Sequence, residues 1–126
     1  MPEFSVLFVD DEPLTRRVTA RLLGRHCRVF EAEGGKSALK LLETHEGEIN
    51  VIITDMQMDD MSGAMLIDKI HDLYPQIPII ASTGDLSNYD FDSLIDNKKI
   101  YASIEKPWDF EGALSLIQSA INHNIE

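Results

Sequence analysis

Three aspartates, a threonine and a lysine each follow or close a short apolar run. Asp10 and Asp11 follow Phe4 to Val9, Asp55 follows Asn50 to Thr54, Thr83 closes Pro78 to Thr83, and Lys106 comes just after Lys99 to Ile104. If these runs lie side by side, three carboxylates converge, repel one another and raise at least one pKa. A divalent ion relieves that repulsion. A donor set of oxygens without His or Cys favours Mg²⁺, which keeps several waters, takes one or two carboxylates and then engages phosphate. A carboxylate beside such an ion can attack phosphorus, and the phosphoryl oxygens then need a cation and a hydrogen-bond donor. Lys106 and Thr83 supply them, and Gly84 leaves the space.

The runs must therefore be strands that share one edge. The central run, residues 51–54, is β-branched, apolar and without period-two alternation, as suits a strand covered by helices on both faces. Helical segments separate the runs. Pro13 opens the first, with Leu14, Val18 and Leu22 as its apolar stripe, Arg16, Arg17 and Arg21 elsewhere on the wheel, and Gly24 at its end. A second strand is expected over residues 27–32, a turn at Gly34-Gly35, and a second helix through Ala38, Leu39, Leu41 and Leu42. Leu66, Ile67, Ile70 and Leu73 mark a third helix, which Tyr74-Pro75 stops. Residues 86–97 carry few apolar positions and predict a short, weakly held fourth helix. Asp109 is placed as the N-cap of the fifth, whose stripe runs from Phe110 to Ile121, while residues 122–126 lose the pattern. Five strand-helix repeats predict a single α/β domain with a parallel sheet and right-handed crossovers. Ligand sites in such sheets lie at the carboxyl ends of the strands.

Composition narrows the partners. Eleven basic and twenty-two acidic residues give a net charge of −11, so no direct contact of this domain with nucleic acid is expected. The single cysteine, Cys27, allows no internal disulfide and is read as a small buried hydrophobe in a reducing compartment. The start at residues 1–4 has no leader pattern and no run approaches the roughly 20 apolar residues of a membrane helix. The expectation is a cytoplasmic domain, core about 4–122, to which an output domain could be joined beyond residue 126.

Asp10-Asp11, Asp55, Thr83 and Lys106-Pro107, in that order at those strand ends, resemble the receiver domain of two-component response regulators, chemotaxis regulators included. The resemblance covers essentially the whole chain. It implies a flavodoxin-like doubly wound fold with strand order 2-1-3-4-5 and five flanking helices, and a signalling switch that is no enzyme beyond its own phosphotransfer and dephosphorylation. Asp55 is then the phosphoacceptor, charged by a sensor histidine kinase or phosphotransfer protein. Asp10, Asp11, Asp55 and the backbone carbonyl of Gln57 are the implied Mg²⁺ ligands, and Thr83, Gly84 and Lys106 surround the phosphoryl group. Gln57 and Asp85 would set its lifetime. The fourth helix, fifth strand and fifth helix form the implied output and homodimer face. Ile100 to Trp108 is similar to a Lys-Pro-Trp subgroup often joined to signalling enzymes.

Two positions depart from the family pattern. Ser103 stands where an aromatic usually switches; alternation along the strand puts Tyr101 on its face, so Tyr101 or Trp108 is expected to share the signalling role. Asp59 replaces a common proline, which should loosen its loop and add negative charge near the metal. Plainer roles exist for each residue alone: Asp10-Asp11-Glu12 as acids at a helix N-terminus, Asp55 and Thr83 as turn residues, Lys106 as a solvated lysine. An EF-hand reading of 55–66 fails at Asp60 and Leu66. Two other functions stand as alternatives: a phosphate-independent interaction module of the same fold, and a haloacid-dehalogenase-like hydrolase, which would need an acid at Gln57.

Overall fold

The computed structural model describes residues 4–125. Strands β1 (Ser5–Val9), β2 (Arg28–Ala32), β3 (Val51–Asp55), β4 (Ile79–Thr83) and β5 (Ala102–Glu105) form one parallel sheet in the order β2-β1-β3-β4-β5. Helices α1 (Pro13–Leu23), α2 (Gly35–Thr44), α3 (Gly63–Leu73), α4 (Phe91–Asp96) and α5 (Phe110–Ile125) alternate with them, and a 3-10 turn, Leu86–Asn88, precedes α4. The predicted order and element count hold. β1, β3 and β4 are buried along their whole length, which is why their sequences are continuous apolar runs.

Two cores follow from the pleat. Leu7, Ile52 and Ile79 point to the side covered by α2, α3 and α4, where Leu42, Ile67 and Phe91 meet them. Val6, Ile53 and Ile80 point to the other side, under Leu23 of α1 and Ile117 of α5. Each such aliphatic side chain contributes roughly 1.5–3 kcal/mol on burial. Cys27 sits in the second core, where burial raises its thiol to about 11, in keeping with a structural role.

Several boundaries and faces differ from the sequence expectation. Leu14 and Val18 are 70% and 51% exposed, and α1 instead buries Ala20 and Leu23. The reason lies in Arg16: its guanidinium donates to the Asp10 carbonyl at 2.9 Å and lies 3.7 Å from Glu31, so the face carrying it turns inward. β5 begins at Ala102, three residues later than expected, and α5 continues through Ile125, past the position where apolar periodicity fades. Residues 1–3 and 126 lie outside the described residues. No helix among the described residues is long and apolar enough to cross a membrane.

The loop after β3 is pinned at both ends. Gly63, the first residue of α3, has no room for a Cβ, which would strike the Asp55 carbonyl and the Met56 Cα; the start of α3 thus sits directly behind Asp55. Further along, Asp60 reaches across to α2. Gly34, at the α2 N-cap, has no side chain to offer, and the Asp60 carboxylate accepts instead from the amides of Gly35 (3.0 Å) and Lys36 (2.9 Å). The Lys36 amide, with that of Gly35, outweighs burial and holds the Asp60 carboxyl below its ordinary 3.8. Asp60→Ala should cost about 1 kcal/mol, as other lost N-caps do. Because the folded pKa is depressed, this stabilisation is present above the ordinary value and is lost as pH falls through the folded one. Urea midpoints of wild type and variant should therefore differ at pH 7 and converge in acid.

Candidate phosphorylation site

Every site residue stands at the carboxyl edge of the sheet. Asp10 follows the last residue of β1, Asp55 and Thr83 end β3 and β4, and Lys106 follows β5. Asp10, Asp55 and Thr83 are 1%, 8% and 4% exposed, burial that an unpaired carboxylate would not tolerate. Lys106 answers it. Its Nζ lies 3.3 Å from Asp10 Oδ2 and 3.1 Å from Asp55 Oδ2. The other Asp10 oxygen accepts the Glu12 amide at 2.9 Å, while Glu12 itself caps α1 through the amide of Leu14. Of the three consecutive acids, one serves the helix and two the site.

Asp10, Asp11 and Asp55 each bring a carboxylate oxygen within 4.8 Å of the others. One lysine does not balance three acids, and the excess shows on Asp11. Burial, the charges of Asp59, Asp55 and Asp10, against a single opposing hydrogen bond from the Asp59 amide, raise its pKa. Burial works to lower that of Lys106, but the hydrogen bonds and charges of Asp55 and Asp10 prevail and raise it. An all-oxygen cluster with surplus negative charge fits Mg²⁺. A raised acid pKa means that the folded state resists ionisation of Asp11: the stability it contributes is present below the ordinary value of 3.8 and is lost as pH rises through the folded value. At pH 7 without metal, Asp11→Asn should therefore raise the melting temperature while weakening Mg²⁺ binding, opposite effects that calorimetry and a metal titration read separately.

The remaining predicted residues fall around this centre with differing contacts. The Gln57 amide donates to Asp55 Oδ1 at 3.4 Å, and its side chain is exposed. Thr83 Oγ1 accepts the Asp85 amide at 3.3 Å, so its hydroxyl engages its own loop. A Cβ at Gly84 would meet nothing within 4 Å, leaving the space open. Asp85 turns its carboxylate to Ser87, whose hydroxyl (2.6 Å) and amide (2.9 Å) hold its pKa low. The Lys106-Pro107 bond is cis. Asp59 does not slacken its loop: its amide, which a proline would lack, donates to Asp11 Oδ2 at 3.2 Å.

Tyr101 and Ser103 do not share a face. Ser103 pairs with Ala81, which belongs to the core under α2 to α4, whereas Tyr101 precedes β5, packs in the other core and hydrogen-bonds Ser119 of α5 at 2.6 Å. Trp108 donates from Nε1 to Ser82 Oγ at 3.0 Å and meets Phe8 edge-on at 5.5 Å. Sequence reasoning did not find Ser82 as its anchor, nor Asp60 as the α2 cap, nor Tyr89 beside the site. An aromatic in the polar stretch after Thr83 was the one available sign of Tyr89.

The sequence model of the response regulator receiver domain matches residues 6–118, with the acid cluster, Thr83 and Lys106 inside the match. The chain belongs to this family. This receiver domain is 31% identical over 128 residues to the DNA-binding transcriptional regulator NtrC of Proteus hauseri, an alignment that takes in 98% of the chain and 26% of the relative. It thus spans about a quarter of that protein's length. Among solved structures it superposes on the signal receiver domain of an HD domain-containing protein from Pseudomonas fluorescens Pf-5 with a TM-score of 0.85 and 27% identity, covering 96% of each chain. A response regulator receiver domain from Clostridium thermocellum gives a TM-score of 0.86 and 26% identity over 95% of each.

Proposed function

We propose that this receiver domain is a switch thrown by phosphorylation of Asp55. The observation that carries the reading is a buried carboxylate 3.1 Å from Lys106 Nζ with two further acids within 4.8 Å. A carboxylate oxygen of Asp55 forms a bond to phosphorus as the bond to a donor imidazole nitrogen of a kinase or phosphotransfer protein breaks; that nitrogen keeps the electron pair and takes a proton. Asp10, Asp11, Asp55 and the Gln57 carbonyl would hold Mg²⁺, which when bound neutralises charge on the transferring group. Lys106, now held by Asp10 and Asp55, follows the new phosphoryl oxygens, and Thr83 exchanges its contact with Asp85 for one of them. Gly84 puts no side chain in the way.

The output side follows from what Thr83 drags with it. Its neighbour Ser82 carries Trp108, and Tyr101 is tied to α5 through Ser119. With Ser103 offering no ring to swing, Trp108 and Tyr101 convey the change to α5, and the 3-10 turn and short α4 convey it on the other face. That combined surface serves an output domain, a partner protein or a second copy of the chain. The domain works in the cytoplasm without touching nucleic acid itself, and beyond its own phosphotransfer and dephosphorylation it has no catalytic task. The test is intact mass after incubation with acetyl phosphate. A Mg²⁺-dependent gain of one phosphoryl group supports the switch; no gain despite normal Mg²⁺ binding and exposure to a competent kinase rejects it.

A further inference from the structure

Beside the acid cluster lies a recess of about 520 Å³ whose walls come from two directions. Asp11 and the loop after β3, with Gln57, Met58 and Asp59, form one side; Tyr89 alone forms the side that belongs to the β4–α4 segment. Tyr89 is half-buried, and its ring rests on Phe91 at 5.3 Å, itself 6% exposed in the core beneath α4. That packing fixes the ring in the wall of the recess that Asp11 also lines. Asp85, the nearer polar candidate for that wall, is bound to Ser87 and does not line the recess.

We infer that Tyr89 is an access residue of the phosphorylation site, its ring restricting the approach of small molecules to the phosphorus on Asp55. The inference rests on the reading of Asp55 as phosphoacceptor. Dephosphorylation requires a water oxygen to bond to phosphorus roughly in line with the departing Asp55 oxygen. The Asp55–phosphorus bond breaks, the carboxylate is regenerated, and the water proton leaves with solvent as inorganic phosphate departs. A ring at the mouth slows that approach by excluding water. It slows entry of acetyl phosphate for the same reason. Because Tyr89 directly follows the 3-10 turn after Thr83, movement of that threonine would also change the opening.

The test charges the protein with acetyl phosphate and Mg²⁺, removes the donor and follows loss of phosphoryl mass. Tyr89→Ala should lose the group several-fold faster than wild type and also gain it faster, Tyr89→Phe should match wild type, and Tyr89→Leu should fall between. Mg²⁺ affinity, read from Trp108 fluorescence, should be the same in all four. Equal rates in Tyr89→Ala and wild type would overturn the inference. So would a Tyr89→Phe as fast as Tyr89→Ala, which assigns the effect to the hydroxyl, or a rate increase that tracks weakened Mg²⁺ binding, which assigns it to a distorted site. If wild type takes no phosphoryl group at all, the Asp55 reading fails first and this one with it.

Discussion

Asp55→Asn is expected to abolish phosphoryl incorporation while leaving the fold in place. The amide is nearly isosteric with the carboxylate, its oxygen can still accept from Lys106, and only the long 3.4 Å contact from the Gln57 amide is given up, so the end of β3 keeps its place. What it lacks is a nucleophilic anion. Lys106 retains the Asp10 carboxylate at 3.3 Å, which limits the damage to the charge balance. Intact mass should show no added phosphoryl group with any donor that charges wild type, and circular dichroism should be unchanged. Undiminished incorporation would move the acceptor to Asp10, Asp11 or Glu12.

Lys106→Met carries the second large effect and separates stability from signalling. Removing the cation leaves Asp10 and Asp55, both almost fully buried, without their charged partner. Breaking such a pair typically costs about 3–5 kcal/mol; with 26% of the lysine side chain still meeting water, about 2–3 kcal/mol is expected here. The sign with pH is set by the raised lysine pKa: the wild-type contribution is complete below the ordinary 10.5 and fades only as pH rises through the folded value. At pH 7 the full difference should appear in urea unfolding, and Mg²⁺ should recover part of it by neutralising the same acids. Lys106→Met should also fail to shift Trp108 fluorescence on phosphorylation, since the group that follows the phosphoryl oxygens is gone. An unchanged shift would place the coupling elsewhere.

The sheet was readable because burial on both faces forces apolar runs, and each run ends where polarity returns. That is why Asp10, Asp55 and Thr83 could be placed on one edge from sequence, while Lys106, after the less buried β5, follows from the strand-helix alternation. Helix faces were less secure. On α1 the four-residue spacing of Leu14, Val18 and Leu22 indicates a stripe, but the choice of inward face was made by Arg16, whose partners, the Asp10 carbonyl and Glu31, are distant in sequence. The face of Tyr101 was misread for a related reason. Alternation holds within β5, and Tyr101 lies just before it, free to turn toward Ser119. Asp60 and Tyr89 act across gaps of 24 or more residues, on α2 and on the loop after β3, and no local pattern in the chain encodes such contacts.

The central claim is that Asp55 carries the phosphoryl group, and chemical trapping tests it most directly. An acyl phosphate on aspartate is reduced by borohydride to homoserine, which marks the residue in a peptide map. After charging with acetyl phosphate and Mg²⁺, the account predicts homoserine at position 55, dependent on Mg²⁺ and absent from uncharged protein. Homoserine at position 10 or 11 instead, or a phosphoryl group that borohydride leaves on a serine, threonine or histidine, would contradict it.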